Sequence, residues 1–126
     1  MKEYDLQGYG KVEIYPMPDI MKLFAIAFVW NKKIRCSALQ PSQRLVRHEM
    51  IHVLQQQEIE DGLVEKYGEK IGKALTFPKF LWLYVKLWVK AGLSYYNHPM
   101  ERDAREYQSI ENFAKDRRVK NWEKYL

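Results

Sequence analysis

The stretch Arg47-His48-Glu49-Met50-Ile51-His52-Val53-Leu54-Gln55-Gln56 decides how this chain is read. Four residues of helix turn through about 400°, so His48 and His52 project about 40° apart, one turn above the other. Two imidazoles so placed can reach one tetrahedral ion. Glu49 lies on the flank of the same face. It is too close in sequence for a comfortable third ligand and well placed to contact a water on the ion, which makes it the candidate general base. Val46, Met50, Ile51, Val53 and Leu54 cover the other side, with Arg47 the one charged interruption. A dry back behind two histidines suits a site built into a core. The chain has three histidines and the motif uses two of them, which weighs against a chance pairing.

Helix signals continue outward from the motif. Ser42 after Pro41 is a good N-cap, because its hydroxyl can accept from a free helix amide. The helix is expected to run to about Glu60 and stop at Asp61-Gly62. A second helix is expected over Leu63 to Leu75. Pro78 opens a third, running to about Lys90 with Gly92 near its end. Asn97-His98-Pro99 reads as a break, with a fourth helix from Pro99 to about Lys115. Upstream, Lys11 to Tyr15 alternate polar and apolar and stop at Pro16, as a short strand does. The apolar run Lys22 to Trp30 is too short to span a bilayer and meets a turn at Asn31-Lys32-Lys33. Ile34 to Ser37 can form the returning strand. These elements predict an α+β fold with a small N-terminal antiparallel sheet packed on about four helices. They predict one domain over residues 1–126.

Two histidines need a third protein ligand. The glycine and third histidine of the metzincin extension are absent, since Gln55 and Glu58 stand in their places. Downstream, Asn97-His98-Pro99-Met100-Glu101-Arg102-Asp103-Ala104 offers three candidates. On a helix Asp103 points about 200° away from Glu101, so both cannot face the ion. Met100, Tyr107, Ile110, Phe113 and Ala114 mark the apolar side, toward which Asp103 turns. Glu101 shares its face with Gln108 and the small Ala104, which allows close approach to the histidine helix. Glu101 is the favoured third ligand, and His98 is the alternative.

The stretch 47–56, followed by Pro99-Met100-Glu101-Arg102-Asp103-Ala104, resembles the gluzincin metallopeptidases, and its compact size resembles the minigluzincins. That resemblance covers about Leu39 to Tyr107. It implies a zincin-like fold, Zn2+ held by His48, His52 and Glu101, and Glu49 as base and proton shuttle. The implied activity is metal-assisted hydrolysis of a peptide or protein substrate. One position departs from the pattern: His98 intervenes between Asn97 and Pro99. It therefore stands as ligand or as donor to a substrate oxyanion.

A different class of function competes with hydrolysis. Residues Phe77 to Leu93 are nearly all apolar apart from Lys79, Lys86 and Lys90, which fall within about 40° on a helical wheel. Such a helix is either core with one solvated stripe or a docking surface. In the second case the protein is a non-catalytic zinc-binding module that docks through helix 78–92. A homodimer is the first expected use of that surface and membrane-surface contact the second.

The remaining features narrow the classes. Hydrophobic residues at 47% and charged residues at 29% fit a folded chain rather than long disorder. The net charge of +5 permits nucleic-acid binding, but the basic residues are spread without a compact block, so no nucleic-acid partner is expected. Cys36 is the single cysteine, so no intrachain disulfide can form; in a strand it reads as a small buried hydrophobe rather than a zinc thiolate. Met1-Lys2-Glu3-Tyr4-Asp5 lacks the apolar run of a signal peptide, and a cytoplasmic location is expected. Tyr95, Tyr96 and Tyr107 lie near the third ligand as packing residues or oxyanion donors. The stretch Asp116 to Leu126, with Trp122 and Tyr125, either finishes the last helix or folds over the cleft.

Overall fold

In β2 (Gly10–Pro16), Val12 and Ile14 are buried while Lys11 and Glu13 face out, so one face of the strand drives its packing. A computed structural model of the chain describes residues 2–17, 27–30, 32–36 and 41–126. β1 (Lys2–Leu6) precedes β2, and β3 (Ala27–Trp30) and β4 (Lys33–Cys36) follow it. The expected strand positions at 22–26 and Ser37 lie outside the described residues. The four strands form one sheet in the order β1-β2-β4-β3. β3 with β4 is antiparallel, as expected, and β1, a strand not expected, pairs antiparallel with β2. The central pair departs from that expectation: β2 and β4 run parallel, with Ile14 opposite Ile34, so the sheet is mixed. Both isoleucines are buried, and this register puts them on one face; a slip by one residue would turn either out. β1 escapes a sequence reading because Lys2, Glu3 and Asp5 leave only Tyr4 and Leu6 as an apolar alternation.

The helices number four, as expected, but their boundaries differ: the first two run longer than their sequence signals suggest and the last is cut short. α1 (Gln43–Tyr67) starts where expected, with the Ser42 hydroxyl accepting from the Leu45 amide at 3.1 Å. It does not stop at Asp61-Gly62 but runs on to Tyr67, and Gly68, at φ 88°, makes the turn. One glycine within a helix costs only about 1 kcal/mol, which packing along the next helix outweighs. The second and third expected helices are one, α2 (Glu69–Lys90), with Pro78 inside it. Pro78 and Ala74 are both exposed, so water can bond the carbonyl that the missing proline N–H leaves over. α2 packs along α1. Contact is closest at Gly72, where an added Cβ would come within 2.6 Å of the Val64 backbone.

The last expected helix is divided. α3 (Pro99–Tyr107) ends early, α4 (Phe113–Asp116) is one turn, and a 3-10 turn follows at Asn121–Tyr125. The break turns Phe113 inward, where it is fully buried. It joins Leu6, Val12, Ile14, Ile34, Cys36, Val46, Met50, Ile51 and Ala104 in the main core between sheet and helices. Each large apolar side chain buried there contributes roughly 1.5–3 kcal/mol. A second cluster of Phe80, Leu87, Met100 and Trp122 closes the other end of the helical layer. Of the two expectations for the C-terminal stretch, continuation of the last helix is overturned: the chain leaves the helix and anchors Trp122 against α2 and α3.

The sheet is tied to α1 by polar contacts. Gln43 bonds the Gln7 amide and the Asp5 carbonyl beside β1, at 2.9 and 3.0 Å. In the β3–β4 turn, Gln56 accepts from the Lys32 amide at 2.7 Å, and Glu60 pairs with the Lys32 ammonium. The start and the middle of the histidine helix are thereby fixed to the sheet.

Candidate metal centre

The apolar stripe of α1 faces the core, which turns His48, His52 and Gln55 toward α3. Ala104 is fully buried against that core, so the small side chain does bring α3 close to α1. Glu101, one turn into α3, meets both histidines. Its Oε1 lies 3.0 Å from His48 Nε2 and 2.7 Å from His52 Nε2. One ligand atom from each of His48, His52 and Glu101 lies within 4.8 Å of the others. Atoms bonded to zinc at about 2.0–2.1 Å in a tetrahedron stand roughly 3.3 Å apart, so a spread of a few tenths of an ångström opens this set to the ion. The two-nitrogen, one-carboxylate donor set and its geometry can coordinate Zn2+.

The far sides of the rings support the same orientation. His52 Nδ1 lies 2.9 Å from Gln55 Oε1 and donates to it, leaving Nε2 as the ligating nitrogen. Gln55 is itself held, its Nε2 donating to the Met100 carbonyl and to Asp103 Oδ2, each at 2.9 Å. His48 Nδ1 meets the Gln108 amide at 2.8 Å, on the face of α3 that Glu101 was expected to share. Glu101 Oε2 accepts from the Tyr84 hydroxyl at 2.8 Å. Tyr84 is a residue that sequence reasoning missed. It sits in an aromatic run where nothing separates it from packing residues, and only the path of α2 brings it to the carboxylate.

The electrostatics follow from burial and proximity. Burial opposes charge on Glu101, but the two histidines outweigh it and hold its carboxyl far below the usual range. Burial likewise opposes charge on His52, and Glu101 overcomes it, raising the imidazole to about 10. Burial raises the pKa of Glu49, against the smaller lowering effect of His52 and His48. Glu49 is almost fully enclosed beside the two histidines. The Tyr84 phenol is pushed up by burial and by the Glu101 charge, which keeps it a donor.

Most of the other candidates fall away from this cluster. Both nitrogens of His98 are engaged elsewhere: Nδ1 accepts from the Met100 amide at 3.1 Å as the N-cap of α3, and Nε2 donates to the Tyr84 carbonyl at 2.8 Å. Asp103 points away, as the wheel requires, and is fully buried among Arg117, Asn121 and Gln55. Cys36 lies buried in the sheet core. Tyr96 is exposed beneath Arg105, and Tyr107 packs on the main core. Tyr95 is more than half exposed, yet its phenol reaches the site: burial, the Glu101 charge and a hydrogen bond to that carboxylate all raise it.

The His48-Glu49-Met50-Ile51-His52 motif with the distal Glu101 matches the gluzincin arrangement of zinc ligands, on an α+β frame consistent with a zincin-like fold. No protein-family model, curated protein or solved structure matches the chain.

Proposed function

We propose that this chain is a zinc-dependent metallopeptidase whose substrate is a peptide or protein, with no nucleic-acid partner. The observation that carries the reading is the convergence of two imidazole Nε2 atoms on one carboxylate, with Glu49 enclosed beside them. His48, His52 and Glu101 would hold the ion. Bound zinc supplies the Lewis acidity that makes water a nucleophile near neutral pH. Glu49 then takes the proton from the attacking water and passes it to the leaving amine. Gln55 and Gln108 keep the two rings aimed, and Tyr84 fixes the carboxylate of Glu101 so that its other oxygen faces the histidines. Among the described residues no helix is long and apolar enough to cross a membrane. A cytoplasmic setting is part of this reading, and the single cysteine gives no support for secretion.

Elemental analysis and peptide turnover together test the reading. The expected content is about one zinc per chain, lost in His48→Ala and His52→Ala. Glu49→Gln should retain the ion while hydrolysis of a peptide mixture falls roughly 100-fold or more. Purified protein that neither carries nor takes up zinc sinks the proposal. Zinc-loaded protein with no turnover would leave the non-catalytic binding module as the function.

A further inference from the structure

α2 carries a surface for which the metal centre has no use. Its inner side, with Phe80 and Leu87, is buried, and Tyr84 reaches Glu101 from there. Its outer side is not covered. Trp82 is 55% exposed, Val89 60% and Leu81 47%, with Val85 and Trp88 beside them. On the helical wheel these residues form one continuous apolar face, and Lys79, Lys86 and Lys90 line its edge. The ammonium groups of Lys79 and Lys86 lie 4.7 and 4.9 Å from the Trp82 ring centre, so charge and indole are presented together.

We propose that this face of α2 docks, lying flat, on the surface of an anionic lipid bilayer. Three observations select that occupant. The helix is not a membrane span. An amphipathic helix with lysines beside exposed tryptophans has the make-up of an interfacial one, with indoles at headgroup depth and ammonium groups on anionic phosphates. Finally, no aspartate or glutamate occurs from Lys70 to His98. A second copy of the same face would therefore bring lysines without counter-charges, whereas anionic headgroups provide them. The docking is independent of whether the metal centre hydrolyses peptides.

Flotation of the full chain with vesicles tests this, with tryptophan emission read in parallel. The vesicles are phosphatidylcholine alone or phosphatidylcholine with phosphatidylglycerol. Binding is expected on the anionic vesicles only, with a blue-shifted emission and affinity that falls as salt rises. Lys79→Glu combined with Lys86→Glu should weaken binding roughly tenfold or more. Trp82→Ser should weaken it too while circular dichroism stays unchanged, since the side chain is exposed; Val89→Ser serves if that variant unfolds. Wild-type protein that ignores anionic vesicles overturns the proposal, as does equal binding to neutral ones. A dimer in sedimentation that Trp82→Ser dissolves, without lipid binding, would instead assign the face to a second copy.

Discussion

A carboxylate that serves two imidazoles through one oxygen needs something to hold the other, and Tyr84 does this from a different helix. Its hydroxyl lies 2.8 Å from Glu101 Oε2. Tyr84→Phe removes the donor and little volume, and it leaves a buried carboxylate oxygen short of a partner. Zinc affinity, measured by competition with a chromophoric chelator, should fall about 10–100-fold while the fold is kept. An unchanged affinity would show that the histidines and Tyr95 orient Glu101 without Tyr84. The contrast between Tyr84 and its neighbours shows where sequence reading stops. His48, Glu49 and His52 are legible because one helix fixes their relation. Glu101 is legible once the wheel separates it from Asp103. Tyr84 lies 17 residues from Glu101 in another element, and its role exists only through packing.

Two elements carry consequences that can be measured. The α1–α2 contact depends on Gly72, where any Cβ would press on backbone atoms of Leu63 and Val64 that cannot move aside. Gly72→Ala should therefore destabilise by about 1–3 kcal/mol in chemical denaturation, although alanine is the better helix former. A gain in stability would mean that the helices part there freely. α3 depends on His98 as a neutral ring, with Nδ1 accepting and Nε2 donating. Burial, the largest influence, holds its pKa below 6.5. The unfolded chain therefore protonates first as pH falls, so the stability from this ring is complete above 6.5 and is lost progressively below it, through the depressed folded value. Asparagine can cap a helix without titrating. His98→Asn should accordingly flatten the acid decline of Tm measured on zinc-free protein from neutral to mildly acidic pH. Parallel curves for the two proteins would place the acid sensitivity elsewhere.

Across the whole molecule, the C-terminal segment supports the metal centre through a chain of buried polar groups. Arg117 bonds Asp103 at 2.6 Å and Glu58 at 2.9 Å, joining the segment to α3 and α1. Asp103 holds Gln55, and Gln55 holds His52. Arg117→Met leaves Asp103 buried without its cation and should destabilise by about 3–5 kcal/mol, with zinc affinity falling as well. Stability and zinc affinity both unchanged in chemical denaturation and chelator competition would show that Asp103 needs no cation there. By itself the sequence left Glu101 and His98 both open as third ligand, and it determined the α+β class, the start of the histidine helix, the paired histidines with Glu49 between them and the basic, aromatic helix. Each of these rests on local periodicity, capping or spacing within one element. Only the tertiary structure decided the parallel β2–β4 pairing, the run of α1 past Gly62, the union of two expected helices into α2, and the exposure of Trp82. It also turned His98 onto the Tyr84 carbonyl and brought Tyr84 to Glu101. Those outcomes depend on which surfaces meet. A proline or glycine costs a helix a few kcal/mol at most, and packing between elements can supply that much.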